Sequence, residues 1–270
     1  IVLLKIFASV ATNGGGGVML PNSGEEYEEF CNWERRFLFH KANSLKNEPI
    51  PYVKQTNVRW RITDAFPNGG NTAAEFAPEK HATTCAMCNI PSTFTHEGKT
   101  YGTGVATGAG IYLRHTWGNS IIKAYYESPA YNNTAYAWTY VYSKKKQKVG
   151  AVIEFQNYSR SEQDPAPTTG NWDLYGSKIW INGEEIDAPH YENAGVAIKD
   201  KEVELKNENF PGRKPIAVTL NKGWNKVFMK LPYVNAGYRL DKWMFTFVFT
   251  DIEGKNAVEG LLYSPDKKGE

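Results

Sequence analysis

Long apolar runs are missing from this chain, and with them any membrane-spanning helix: no stretch reaches the ~18–20 consecutive apolar residues that a span needs. Cysteine is scarce. Three residues, Cys31, Cys85 and Cys88, are too few and odd in number for a disulfide-stapled scaffold, and a chain of 270 residues does not need one to bury a core. Cys85-Ala86-Met87-Cys88 is a CxxC, a spacing found by chance, in a local loop bridge, in a redox pair or in half a zinc site. A redox pair wants a helix N-terminus in a βαβ setting and zinc wants a second ligand pair, while His81 and His96 sit at loose spacing in a loop. Charge of one sign is also lacking. The net charge is +2, and the one basic run, Lys144-Lys145-Lys146-Gln147-Lys148, is too local to track a phosphate backbone, which argues against nucleic acid as a partner.

Catalytic signatures are equally thin. No G-x-S-x-G elbow, Walker loop, HExxH or dinucleotide fingerprint occurs, and no Lys-Ser/Thr follows Gly14–Gly17. Glycoside hydrolysis needs two carboxylates at a set separation. Asp64, Glu75, Glu79, Glu154 and Asp173 are available, but nothing in their spacing singles out a pair. The expected catalytic set is therefore empty. No cofactor is expected, and a structural Ca²⁺ is compatible with the sequence.

Aromatic residues are what the chain has in abundance: eight Trp, sixteen Tyr and thirteen Phe, or 14%. They favour pleated, half-buried surfaces and dominate core burial. Their flat faces also suit sugar rings, whose C–H groups stack on aromatic planes.

The chain divides at about residue 50. Residues 1–50 read as a loop followed by a helix. Four glycines, Pro21 and Asn22 mark the loop, and Ser23 with Glu26 gives a capping box. Tyr27, Phe30, Cys31, Phe37, Leu38 and Leu45 then follow helical spacing, which predicts a helix over 24–46 closed by Asn47 and Pro49. Ile1–Ala11, apolar and ending Ala-Ser-Val-Ala, fits part of a signal peptide or the edge of a preceding domain.

Residues 51–270 read as strands. Val58–Ile62 and Ile111–Trp117 are two, and residues 63–100 are a turn-rich surface excursion between them. Ala135–Tyr142 alternates, with Tyr136, Trp138, Tyr140 and Tyr142 on one face; the lysine run is read as a hairpin turn to a partner strand through Val149, Ala151, Ile153 and Phe155. Asn182-Gly183 is a hairpin signal within Lys178–Ile186. Pro215–Leu220 with Trp224–Leu231, and Trp243–Thr250 with Ala257–Tyr263, read as further hairpins. The expectation is a mostly β fold, an antiparallel β-sandwich or jelly roll preceded by one N-terminal α-helix.

Two groups of residues are candidate binding residues. On an alternating strand His115 and Trp117 share a face and Arg114 lies opposite, so Arg114 and His115 supply donors for hydroxyls and Trp117 a stacking surface, unless Trp117 is core and Arg114 is paired across the sheet. Trp172 and Tyr175 fall in a polar loop, where aromatics serve either binding or a lid over the end of the sandwich.

Several segments, taken in order, resemble a known family. Trp33–Lys41, Tyr52–Thr56, Trp60–Asn68, Gly108–Gly118 and Lys178–Gly183 resemble the C-terminal region of bacterial β-N-acetylhexosaminidases of glycoside hydrolase family 20. The plan from Trp60 onward is similar to galactose-binding-like β-sandwiches appended to glycosidases, including an L-x-x-G-x-N-x-V-x-x-K segment that here runs from Leu220 to Lys230. That resemblance implies a secreted, periplasmic or cell-surface protein whose partners are an N-acetylhexosamine-containing glycan, a catalytic barrel, or both. It also implies that the residues before the sandwich are the tail of that barrel. Catalysis in the family uses an adjacent Asp-Glu pair, and no Asp-Glu dipeptide occurs in these 270 residues. The resemblance therefore implies a non-catalytic accessory region, inactive alone. A free-standing glycan-binding or surface interaction protein, or a glycoside hydrolase with unrecognised acids, are the alternatives.

Overall fold

In a computed structural model, residues 58–114, 124–127, 131–155, 167–191, 194–195, 214–235 and 243–267 are described, together with the backbone of 205–207 and 210–211. The helix expected at 24–46 lies outside the described residues, as does all of 1–57.

The described chain is mostly β. In order it forms β1 (Arg59–Thr63), β2 (Phe66–Pro67), helix α1 (Ala77–Thr84), β3 (Phe94–His96), β4 (Lys99–Tyr101), β5 (Thr103–Thr107), β6 (Gly110–Arg114), β7 (Asn133–Ser143) and β8 (Gln147–Phe155). Then come β9 (Lys178–Ile181), β10 (Glu184–Glu185), β11 (Leu205–Asn207), β12 (Phe210–Pro211), β13 (Ile216–Leu220), β14 (Gly223–Tyr233), β15 (Trp243–Thr250) and β16 (Leu262–Ser264). An eight-stranded sheet runs β10-β9-β14-β7-β1-β5, with β16 and β2 also on β7, and a four-stranded sheet runs β13-β8-β15-β6. Every strand pair in both is antiparallel.

Alternation along each strand builds the core between the sheets. The large sheet contributes Trp60 and Ile62, Ala135 and Ala137, Val227, Met229 and Leu231; the small sheet contributes Leu113, Ile153, Phe155, Phe245 and Phe247, all buried in one cluster. Small alanines on β7 leave room for large rings opposite. Trp60 sits edge-on to Phe245 at 4.9 Å and to Phe247 at 5.7 Å, and its Nε1 donates to Gly108 O at 3.0 Å. At Gly150, where β8 meets β15, an added Cβ would lie 2.5 Å from the Asp251 carbonyl oxygen and 2.9 Å from Pro215 Cβ. No side chain fits there.

The alternating aromatics of β7 face away from that core and are nevertheless buried. Phe66, Phe76, Ala82, Ile90, Phe94 and Tyr101 cover Tyr136, Trp138, Tyr140, Trp180 and Phe228 in a second cluster. The 63–100 segment, read from the sequence as a surface excursion of turns, thus forms a third layer, with a short helix and the β3–β4 hairpin. Its polar backbone is satisfied by side chains of the sheet beneath, as a buried loop requires. Tyr136 Oη accepts from Phe76 N at 3.2 Å and donates to Glu79 at 2.9 Å; Tyr140 Oη accepts from Ile90 N at 3.0 Å and donates to Cys88 O at 3.1 Å. Burial pushes the Tyr140 phenol up to about 12 and the Tyr136 phenol well beyond the ordinary range, so both act as neutral O–H groups. Lys226 Nζ donates to Ala82 O at 3.1 Å and Cys85 O at 2.7 Å, satisfying carbonyls left open at the end of α1. A Cys85–Cys88 disulfide closes the loop that follows, so the CxxC is a local bridge.

The pairings correct three expected hairpins. β7 and β8 lie in different sheets, as do β13 and β14, and the lysine run and Asn221–Gly223 are corners between the layers. Past a single bridge, Thr250↔Ala257, the chain leaves β15, and β16 pairs with β7. Alternation marks a strand but carries no record of its neighbour when both faces are buried. The Asn182-Gly183 hairpin, β9 to β10, is formed as expected, with Asn182 at φ 55° and Gly183 at φ 85°.

Candidate functional site

The end of the sandwich where β6, β8 and β14 finish and β7 and β15 begin carries a row of stacked rings. Tyr131 stacks on Tyr233 (4.8 Å, 26°), Tyr233 on Trp243 (4.8 Å, 7°), and Trp243 on Tyr126 (5.2 Å, 21°); Tyr125 closes the row edge-on to Tyr126 at 4.9 Å. Tyr125 and Tyr126 are each held at both backbone and hydroxyl. Tyr125 N and Tyr126 N donate to Tyr112 O and Leu113 O on β6, and their hydroxyls donate across to Ile62 O and Thr63 O on β1. Burial pushes the Tyr126 hydroxyl well above the usual phenol value, with the neighbouring Tyr125 and Asp64 adding to the shift, so it bonds as a neutral donor. Trp243 Nε1, fully buried, meets no acceptor among the described residues.

The row ends at the surface. Tyr131 is 37% exposed, while Tyr233 and Trp243 beneath it are wholly buried. The Arg114 guanidinium lies 5.7 Å from the Tyr131 ring centre and 5.9 Å from that of Tyr233, within cation–π range of both. This gives a rigid ring face beside a cation with several N–H donors.

Of the five residues expected to bind, Arg114 and Tyr175 come together, since both meet the Tyr233 ring; Tyr175 lies edge-on to it at 5.9 Å. His115 and Trp117 lie outside the described residues. Trp172 and Tyr175, for which binding and a lid were the two readings, are only 4% and 2% exposed. Trp172 packs edge-on to Phe155 at 5.6 Å, its Nε1 donates to Ile186 O, and its carbonyl accepts from Tyr191 Oη. They form the lid over the sandwich end, with no ring face open for stacking. Tyr131, Tyr233 and Trp243 were not singled out by sequence reasoning; two of them end or begin regular strands and read as core.

Three of the five candidate carboxylates, Asp173, Glu79 and Asp64, have partners within the fold. Asp173 is buried and accepts from Tyr175 N, Ser177 N and Ser177 Oγ; burial raises its pKa and these bonds act against the rise. Glu79 Oε2 lies 3.0 Å from Lys230 Nζ. Asp64 accepts from Gly102 N, Glu154 is buried on β8 and Glu75 is exposed. Among the described residues no three acidic, His or Cys side chains converge, and the Asp173 and Asp251 oxygens accept N–H donors. In comparisons with known proteins, no family model matches this chain and no curated protein is significantly similar to it.

Proposed function

We propose that this chain is a non-catalytic accessory β-sandwich of a glycosidase like the β-N-acetylhexosaminidases, and that it holds an N-acetylhexosamine-containing glycan at the sandwich end marked by Tyr131 and Arg114. The observation that carries the reading is the Tyr131 ring, partly exposed and fixed on Tyr233 with Arg114 beside it. A ring already immobilised by stacking loses little entropy on meeting a sugar face, and guanidinium N–H groups suit hydroxyl and acetamido oxygens. The Cys85–Cys88 bond supports a secreted, periplasmic or cell-surface setting, where disulfides persist.

The test is retention of the full chain on immobilised N-acetylglucosamine oligomers and a glycan array, with Tyr131→Ala and Arg114→Gln. Each is expected to weaken retention about tenfold, equivalent to ~1.4 kcal/mol, with the melting temperature nearly unchanged. Equal retention by both variants defeats the binding reading and leaves support of a catalytic barrel as the role. Turnover of an aryl N-acetylglucosaminide, abolished by one carboxylate substitution, would defeat the non-catalytic assignment.

A further inference from the structure

The opposite end of the sandwich carries a basic surface whose parts are far apart in sequence. The corner after β7 bears Lys144, Lys145 and Lys146, with Lys148 next along β8; the corner before β14 bears Lys222. Strand pairing sets these corners side by side, because Ser143 pairs with Gly223 and Gln147 with Leu220. All five lysines are exposed, and among the described residues none takes part in an ion pair. Acidic groups on adjoining elements are engaged elsewhere: Glu253 pairs with Lys255, Asp251 accepts from Lys255 N and Asn256, and Glu185 meets Lys178. Glu184, and Glu259 just before β16, are exposed, and among the described residues neither enters an ion pair, so the five lysines outnumber the acids at this tip.

Both corners are held rigid by buried polar side chains. Ser143 Oγ donates to Lys145 O at 2.7 Å and accepts from Gln147 Nε2 at 2.9 Å. Asn225, wholly buried, accepts from Asn221 N at 2.8 Å and donates to Asn221 O, Gly223 O and Val141 O. The lysines therefore stand on preorganised backbone. Beside them, on the outer face of the large sheet, Trp224 and Tyr142 form a half-exposed edge-to-face pair at 5.3 Å.

We propose that this basic tip is a second binding site, distinct from the Tyr131–Arg114 end, for an acidic polysaccharide carrying sulfate or carboxylate groups. Lysine ammoniums act as strongly hydrated point charges suited to scattered anionic substituents, and an indole at the border offers a face to the sugar ring. The patch is confined to two corners of a chain with net charge +2, too short to follow the continuous phosphates of a duplex.

The site is tested by calorimetric titration of the full chain with heparin and chondroitin sulfate across a salt series. Poly(dT) and phosphatidylserine vesicles are the competing polyanions. For K144Q/K146Q/K222Q, affinity for the sulfated chains is expected to fall by about tenfold or more, and the slope of log affinity against log salt by roughly 2, since each lost cation on a flexible polyanion removes ~0.7 of a released counterion. Trp224→Ala is expected to weaken binding with the slope unchanged, and Tyr131→Ala to leave it intact while weakening N-acetylglucosamine retention about tenfold. The proposal is overturned if the lysine variant binds as the wild type does, or if poly(dT) or the vesicles bind more tightly than either polysaccharide. Loss of sulfated-chain binding in Tyr131→Ala overturns the claim of a second site.

Discussion

Lys230 Nζ lies 3.0 Å from Glu79 Oε2, a buried ion pair that ties the outer face of the large sheet to helix α1. The same ammonium donates to Ala73 O at 3.3 Å, and the same carboxylate oxygen accepts the Tyr136 hydroxyl at 2.9 Å. Lys230 is the terminal Lys of the Leu220–Lys230 pattern, and its side chain fastens the third layer to the sheet. Removing one partner strands a buried charge. Lys230→Met or Glu79→Leu alone is expected to cost about 3–5 kcal/mol in urea unfolding, whereas the double replacement recovers much of it because apolar pairs substitute well for buried ions. Additive losses in the double variant would show that the two groups do not act as a pair.

Lys226 gives a pH signature. Burial lowers its pKa from the usual lysine value to about 8. Between about pH 8 and the ordinary lysine range the unfolded chain binds more protons than the folded one, so stability rises with pH in that window. Below pH 8 the full cost of holding the charge remains. The urea midpoint of the wild type should climb from pH 7.5 to 9.5 relative to that of Lys226→Met, which lacks the titrating group. That window stops short of the buried tyrosines, whose raised pKa values contribute stability below pH 10 that is lost only at higher pH. Parallel pH profiles for the two proteins would show that the two accepting carbonyls keep Lys226 fully charged.

Much of the architecture was written in local pattern. Ala135–Tyr142 announced its strand through strict alternation, and Asn182-Gly183 announced its turn through a backbone that asparagine and glycine tolerate at positive φ. The third layer was not legible. Its helix spans eight residues, with Pro78 in the first turn and buried positions confined to Pro78, Glu79 and Ala82, too little apolar spacing to show a helical period. Arg114 drew notice as a cation within the alternating Ile111–Trp117 strand, while Trp172 and Tyr175 sit among Gly170, Asn171 and Asp173, a polar setting that conceals their inward rings. Tyr131 acquires its meaning only through Tyr233, a partner remote in sequence. Lys222 likewise joins Lys144–Lys146 only once the two sheets are stacked.

The Cys85–Cys88 bridge closes a very short loop. Chain-entropy arguments give a four-residue loop about 2 kcal/mol, so Cys85→Ser/Cys88→Ser should lower unfolding free energy by about that amount or less. The fold should remain, because Tyr140 and Lys226 still hold Cys88 O and Cys85 O through hydrogen bonds to the backbone. Near-ultraviolet circular dichroism of the variant checks this; loss of the aromatic signal would mean that the bridge, not the sheet's polar tips, holds the third layer down.

The division of labour among the rings at the candidate site supplies the last test. Trp172 and Tyr175 are core: the indole packs on Phe155 and the phenol edge on Tyr233. Truncating either to Ala deletes a buried aromatic, and the expected cost is about 3–5 kcal/mol for Trp172 and somewhat less for Tyr175. Retention of glycan by the surviving folded fraction should be weakened only for Tyr175→Ala, through loss of support beneath Tyr233. Tyr131→Ala should behave in the opposite way, with stability within about 1 kcal/mol of wild type, as for partly exposed positions, and glycan retention reduced. Urea midpoints and affinity measured on the same three preparations separate the two patterns. If Tyr131→Ala unfolds the end of the sandwich while Trp172→Ala merely loses ligand, the roles of the exposed and buried rings are exchanged, and the binding surface lies over the 167–177 lid.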